Sequence, residues 1–369
     1  MTFAPGTRVR YAVVGAGWIS QQAFMPGVQH TGNSQLAALV TGDEDKARVL
    51  SARYGIRAWG YEQYDELLAS GEIDAVYIAL PNFMHRDYAV RALDAGLHVL
   101  LEKPMAIREA DCIAIRDAAT RNNRRLMIAY RLHSEPGTLA AMELMRRGAI
   151  GEIRAFSSLF AQHVAPSNHR AEHGFWSGPV ADMGPYPINT ARMLFGAEPV
   201  EVSAVGVRHP HTTFDFDDTV SVTMRFPDER LAQFTVSYFG APVDQYRVLG
   251  THGDLEVSPG FMFGSDVGVK HKLTVEGETS ERAFPATDQF GAELQYFSEC
   301  ILDGRDPEPD GEEGLADVRI IEAIRLALET GESQKLTPFT RARRPELEQA
   351  VELPPVQAPE LIHAAAPDS

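Results

Sequence analysis

Val13-Val14-Gly15-Ala16-Gly17-Trp18-Ile19-Ser20 decides the fold. The apolar run Val9–Val14 has the length of a short buried strand, and it stops at a glycine that opens a segment of helical spacing. Such a strand–turn–helix is where a dinucleotide pyrophosphate sits. Gly15 permits the tight turn, Gly17 lets a phosphate approach the backbone, and the helix start offers N–H groups and a positive dipole. The third glycine of the fingerprint is replaced here by Ser20, still a small residue.

Outward from this turn, strand and helix patterns alternate. Residues 36–41 form a second apolar run, followed by DEDKARVLSARYG with Ala47, Leu50 and Ala52 at helical spacing. Further strands are expected at 75–80, 98–101 and 126–130, with helices at 86–95 and 110–121 between them, the first ending at Gly96. Short apolar strands separated by helices predict a parallel, doubly wound sheet covered on both faces. After about residue 150 the pattern changes to period two, as in VSVTMRF and AQFTVSY, with strands expected at 152–159, 200–207, 219–226, 231–238, 244–249 and 270–275. Hairpin-like links such as FPDER and GTHGD join several of them. The expected architecture is α/β: a Rossmann dinucleotide-binding domain over 1–130, then an α+β substrate and dimerisation domain over 131–339. Its large open sheet should be mostly antiparallel, with helices at 290–302 and 314–330. A Pro/Ala/Glu-rich extension, 340–369, is expected to be extended or partly mobile.

Composition fits a two-domain chain of 369 residues, 44% hydrophobic and 23% charged. A formal net charge of −17 and the lack of a basic run exclude nucleic acid and anionic lipid as natural partners. No apolar stretch reaches a membrane span. MTFAPGTRVRYAVVG carries no apolar signal core before the first strand, so a cytoplasmic location is expected. Cys112 and Cys300 have no metal or redox spacing and read as small buried hydrophobes; no metal is expected.

The end of the second strand sets the cofactor type. Where an NAD enzyme places an acid to accept from the ribose 2′-hydroxyl, this chain has Val40-Thr41-Gly42-Asp43-Glu44-Asp45-Lys46. Thr41 can donate to a phosphate and Lys46 can neutralise it, which favours NADP. Asp43, Glu44 and Asp45 read as helix N-terminal charges. Two further turns follow strand ends, Leu80-Pro81-Asn82-Phe83-Met84-His85 and Glu102-Lys103-Pro104. Ligand crevices lie at such carboxyl ends. Pro104 is a candidate cis proline, and Lys103 is expected to project its ammonium into the crevice.

GAGWIS, TGDEDK, LPNFMH, HVLLEKPMA and AYRLH, in this order, resemble the Gfo/Idh/MocA oxidoreductase family. DAVYIALPN, ADC and EEGLADVRIIEAI carry a likeness to its glucose–fructose and aldose–aldose oxidoreductase branch, and the resemblance spans roughly residues 8–335. It implies a catalytic trio of Lys103, Asp182 and Tyr186, the last two from Ala181-Asp182-Met183-Gly184-Pro185-Tyr186. At a spacing of four, Asp182 and Tyr186 are expected on one face of one helix turn. It also implies cofactor contacts from Gly15, Gly17, Trp18, Ile19, Thr41, Gly42, Lys46, Tyr61, Leu80, Pro81, Asn82, His85, Glu102, Lys103, Arg131 and Trp176. HGFWSGPVADM stands where that branch carries a glycine-rich stretch, so the substrate wall departs from its pattern.

The implied reaction is NADP-dependent oxidation of an aldose at C1 to an aldonolactone. Retained NADP(H) would then be recycled by reducing a second sugar to an alditol. Tyr186 is the expected base, and His133 is the next candidate. A free phenol titrates near 10, so Tyr186 requires a cation nearby, a role expected of Lys103. Alternatives are an aldose 1-dehydrogenase with exchanging NADP, an inositol or dihydrodiol dehydrogenase, and a dinucleotide-sensing regulator without chemistry. The partners expected are sugars and a second copy of the chain, paired through the open sheet.

Overall fold

The run Val9–Val14 forms β1 at the centre of a six-stranded sheet. The computed structural model describes residues 6–368 apart from Glu172 and Ala342. The other strands are β2 (Ser34–Val40), β3 (Arg57–Trp59), β4 (Ala75–Ile78), β5 (His98–Leu101) and β6 (Leu126–Ile128). They lie in the order β3-β2-β1-β4-β5-β6 with every neighbouring pair parallel. All four residues of β4 are buried, as a strand covered on both faces requires. The order reverses between β1 and β4, and the carboxyl ends there form the crevice in which doubly wound sheets hold ligands.

The core of this unit stacks Phe24 on Tyr77 at 3.6 Å between ring centroids and packs both with Tyr11, Leu39 and Leu100. Helix Gln289–Asp303 closes it with Leu294, Phe297 and Cys300, so a segment late in the sequence completes the first sheet. The buried Tyr11 hydroxyl is paired with Ser298 at 2.8 Å. By its contacts the unit comprises the chain to Glu135, Thr287–Leu315 and Val351–Ala366. Cys112 and Cys300 are both buried, and neither is in a disulfide.

The second unit comprises Pro136–Ala286, Ala316–Ala350 and the last residues. Its strands are β7 (Ile153–His163), β8 (Glu201–Val207), β9 (Thr219–Phe226), β10 (Arg230–Ser237), β11 (Phe239–Gly250), β12 (Gly253–Val257), β13 (Lys270–Val275), β14 (Glu278–Ala283) and β15 (Gln334–Lys335). They form one sheet in the order β14-β13-β12-β11-β7-β10-β9-β8-β15. It is antiparallel except for the parallel pair β7 and β10. The FPDER hairpin holds, with Asp228 and Glu229 both in left-handed backbone conformations that turn β9 into β10.

One face of this sheet is buried through Phe156, Phe160, Val222, Met224, Phe234 and Val236, under helices that include Pro136–Arg146 and Pro185–Phe195. On the last of these helices Arg192, fully buried, pairs with Glu198 at 2.6 Å and with Asp317 at 2.6 Å. Asp317 belongs to the EEGLADVRIIEAI segment, whose recognisable sequence thus supplies a structural anchor. Among the described residues no helix is long and apolar enough to cross a membrane.

Candidate active site

Turns at the carboxyl ends of the first sheet carry most of the sequence-expected cofactor residues. Gly15 has φ +97°, and a Cβ there would lie 2.6 Å from the Ala79 carbonyl oxygen, so only glycine lets β1 turn against β4. At Gly17 a Cβ would meet nothing within 4 Å; the outer side of the turn is open to a phosphate group. Ser20 replaces the third glycine and donates to the Gly15 carbonyl at 2.7 Å, holding the turn from within. Helical backbone begins at Trp18 and passes through a π-helical turn, Ser20–Phe24. Trp18 and Ile19 are half-buried on the turn. The residues present therefore fit a dinucleotide.

Beside it, Thr41 directly follows β2, and its hydroxyl accepts from the Asp43 amide at 3.3 Å. Asp43 caps helix Glu44–Tyr54 by accepting from the Lys46 amide at 2.9 Å, and Glu44 and Asp45 occupy its first turn, as helix N-terminal charges should. The Lys46 backbone hydrogen bond, with His363, holds the Asp43 carboxyl below its usual range. Gly42 lies against the ring of Tyr61, so that side chain flanks the same turn.

The β4 and β5 turns are joined by His85. Its imidazole is buried with Nε2 2.9 Å from the Leu80 carbonyl and Nδ1 3.0 Å from the Pro104 carbonyl. Burial pushes its pKa down to about 4, although the carbonyls favour the charged ring. His85 thus positions the Leu80-Pro81-Asn82 turn against the Lys103–Pro104 peptide, which is cis. Glu102 accepts from the Tyr77 hydroxyl at 2.6 Å and from the Lys103 amide at 3.2 Å, and burial raises its pKa. Arg131 is buried, donates to Gln289 and lies over the Phe290 ring. His133 is buried with Nδ1 2.6 Å from Glu308.

One residue escaped the sequence reading in this unit. Glu293, on helix Gln289–Asp303, is fully buried, and neither carboxyl oxygen has a hydrogen-bond partner. Burial first, then the nearby Glu102, drives its pKa well up. A glutamate at helical spacing among apolar residues looks like any solvated helix charge, so sequence offered no signal.

In the second unit, Asp182 and Tyr186 do not share one helix turn. Asp182 ends the short helix Pro179–Asp182, and Tyr186 is the second residue of Pro185–Phe195. Pro185 has no N–H to continue the first helix, so the chain breaks at Met183-Gly184. Asp182 Oδ2 instead accepts from Arg170 Nε at 3.0 Å and from the Tyr238 hydroxyl at 2.8 Å. Burial raises the Tyr238 pKa and the Asp182 charge raises it further, so this phenol stays a donor. The Arg170 guanidinium also interacts electrostatically with Tyr186, whose ring packs on Phe160 and Phe261. Arg170 was not legible in the sequence, because it stands in the short 3-10 turn His169–Ala171, without motif spacing. Trp176 lies in the following turn, half-buried, edge-on to Phe175. Among the described residues no group of three or more metal-ligating side chains occurs.

Comparison with known proteins finds relatives for both halves of the chain. Residues 9–130 fit the Gfo/Idh/MocA family model described as an oxidoreductase family with an NAD-binding Rossmann fold, and 138–256 fit a Gfo/Idh/MocA C-terminal domain. The chain is similar to a D-xylose 1-dehydrogenase [NADP(+)] of Haloarcula marismortui, 32% identical over 89% of this chain and 93% of that one. The structure of an aldose–aldose oxidoreductase from Caulobacter crescentus, complexed with glycerol, superposes with a TM-score of 0.83 at 34% identity, covering 89% of this chain and all of that one. A 3-ketoreductase from Actinomadura kijaniata, in complex with NADP and TDP-benzene, superposes at 0.80 with 25% identity, covering 87% and 98% of the two chains. With both halves matched in order, the chain belongs to the Gfo/Idh/MocA family of oxidoreductases.

Proposed function

We propose that this protein is an NADP-dependent sugar oxidoreductase that oxidises an aldose at C1 to an aldonolactone and retains its cofactor, recycling it by reducing a second sugar to an alditol. Bound at the Gly15 turn, NADP would supply the hydride acceptor for the first sugar and the hydride donor for the second. Gly15, Gly17, Trp18 and Ile19 would hold the pyrophosphate. Thr41, Gly42, Lys46 and Tyr61 would meet the adenosine end, and Leu80, Pro81, Asn82, Glu102, Arg131 and Trp176 the remainder.

Tyr186 takes the proton of the C1 hydroxyl. Lys103 hydrogen-bonds the same oxygen and stabilises its developing negative charge. Asp182 accepts from a sugar hydroxyl. The observation that carries this reading is the orientation of Asp182 by Arg170 and Tyr238, around a guanidinium that also acts on Tyr186. It is a fixed polar group set among aromatic rings, suited to a polyol. NADP is supported by Thr41 and Lys46 and by the NADP named for two of the similar proteins.

The test is an absorbance spectrum at about 300–400 nm of protein purified without nucleotide, before and after one aldose. Retained cofactor gives a single burst of reduced nicotinamide, reversed by a second sugar, with aldonolactone and alditol formed in equal amounts. Protein isolated empty, with NADPH accumulating in solution, assigns the simple dehydrogenase instead, a reading favoured by the D-xylose 1-dehydrogenase relative.

We also propose a homodimer through the outer face of the nine-stranded sheet. Leu159, Leu231, Leu249, Val205 and Val207 all point away from the buried face, and Val205 is 71% exposed. Leu231 and Leu249 flank Ala155 in register, which makes a contiguous apolar patch. Sedimentation velocity at micromolar concentration should show a dimer; a monomer alone removes this assignment.

A further inference from the structure

The C-terminal segment, expected to be extended or partly mobile, is tied at several points to the dinucleotide turns of the first unit. Its irregular backbone is fixed near Leu353, where Thr287 donates to the Leu353 carbonyl at 2.9 Å and the Asp288 amide does so at 3.0 Å. Further on, the Ile362 amide donates to Gln21 Oε1 at 2.8 Å, and Gln21 Nε2 donates back to the Ile362 carbonyl at 2.9 Å. The same amide nitrogen of Gln21 bonds the Ala16 carbonyl, in the pyrophosphate turn, at 2.9 Å. Gln21 is buried, and the Ile362 side chain packs against the core beneath that turn. Arg53, at the end of the helix that follows Asp43, donates to the Glu360 carbonyl at 2.8 Å. His363 Nδ1 lies 2.9 Å from Asp43 Oδ2, and its Nε2 lies 3.8 Å from Asp45.

The segment therefore bridges the two turns that a Rossmann sheet offers to a dinucleotide, the glycine turn after β1 and the ribose turn after β2. The ribose turn has an electrostatic problem. Asp43, Glu44 and Asp45 stand together where a 2′-phosphate would approach, on a chain of net charge −17. Arg48 pairs with Asp45 at 2.8 Å but Asp43 draws on His363. The His363 imidazole engages Asp43 Oδ2 and stands next to Asp45, so it draws on the carboxylates that would repel a phosphate.

We propose that residues 360–363 are a built wall of the dinucleotide site and that His363 is a specificity-determining residue for the 2′-phosphate of NADP. This rests on the NADP reading above. It acts through Asp43 and Asp45, so it is a positioning residue, and its signature is the ratio of the two cofactor affinities. The experiment is calorimetric titration of the full chain, stripped of nucleotide, with NADP+ and with NAD+. His363→Ala should weaken NADP+ by about threefold to fivefold, the scale of an exposed ion pair, and change NAD+ by less than about twofold. His363→Lys, which places a cation beside the same carboxylates, should regain most of the NADP+ affinity. Equal weakening of both cofactors, or no change in either, overturns the proposal. Failure of the NADP reading is seen separately, as wild-type protein that prefers NAD+.

Discussion

Two fully buried carboxyl groups, one in each unit, are treated in opposite ways. In the second unit Asp317 closes on Arg192, whose guanidinium also holds Glu198, and Glu198 meets Arg344 at 2.6 Å. In the first, Glu293 lies fully buried with both oxygens unbonded, in the field of Glu102. A buried carboxylate beside a guanidinium stays ionised and fixes geometry. A buried carboxyl without a partner avoids the cost of a bare charge by keeping its proton. The matched cluster around Arg192 is architecture. The unmatched one stores a pH dependence behind the turn that carries Lys103.

The contrast breaks most visibly at Arg192. Arg192→Leu leaves Asp317 fully buried without its cation, so unfolding should become easier by about 3–5 kcal/mol. Urea unfolding followed by far-UV circular dichroism reads this as a lower midpoint at unchanged slope. A loss below about 1 kcal/mol, the worth of a surface pair, means the cluster is not the anchor its geometry describes.

At the proposed catalytic group the same logic separates chemistry from architecture. Tyr186→Phe keeps the ring against Phe160 and Phe261 and removes only the hydroxyl. Turnover should fall at least ~10²-fold, the lower end for a lost acid–base group, with the melting temperature nearly unchanged. Near-normal turnover moves the proton transfer elsewhere. His133 is a poor substitute, since it is 2% exposed with Nδ1 held by Glu308.

Glu293→Gln tests the unmatched side. With its folded pKa above the unfolded value, the carboxyl carries no penalty below about pH 4.3, where both states are protonated. As pH rises the unfolded chain releases the proton and the folded one keeps it, so stability is lost until the folded pKa is passed. The amide has no such slope. Melting temperatures of the two proteins should coincide near pH 4 and diverge toward pH 8, with Glu293→Gln the more stable. Parallel curves would mean that Glu293 finds a partner in solution.

Sequence carried the periodic and the punctuated parts of this molecule. The glycine turn, the Glu102-Lys103-Pro104 turn and the switch to period two each have a local cause that residue types display. β3 escaped because it is three residues long, and its visible stabiliser is Arg57 stacked 3.7 Å over Trp59. β14 escaped because ETSERA is exposed throughout, a charged edge that protects the sheet and shows no apolar alternation. The parallel pairing of β7 with β10 could not be read, since period two is the same for either direction. Arg170 and Glu293 depend on what surrounds them. The tail was opaque for the same reason: its composition suggests solvent, whereas Gln21, 341 positions away, holds its backbone by two hydrogen bonds.

A small expected effect lies at Lys46, and it tests the comparison from the exposed end. Lys46→Ala leaves the helix start intact, because Asp43 caps through the Lys46 backbone amide and alanine is a strong helix former. What is lost is one ammonium near the proposed 2′-phosphate. Unlike the Arg192 guanidinium it is reached by solvent, so its attraction is screened by salt. NADP+ affinity should fall by about fivefold at low ionic strength, roughly one surface charge interaction, while NAD+ is nearly unaffected. At about 0.5 M salt, where the screening length is only a few ångströms, the difference between wild type and variant should shrink toward unity. The Arg192→Leu loss should persist under the same salt, because its partner is sealed from water. Equal weakening of NADP+ and NAD+ would take Lys46 out of the phosphate site, and a salt-independent loss would show that its charge is not the cause.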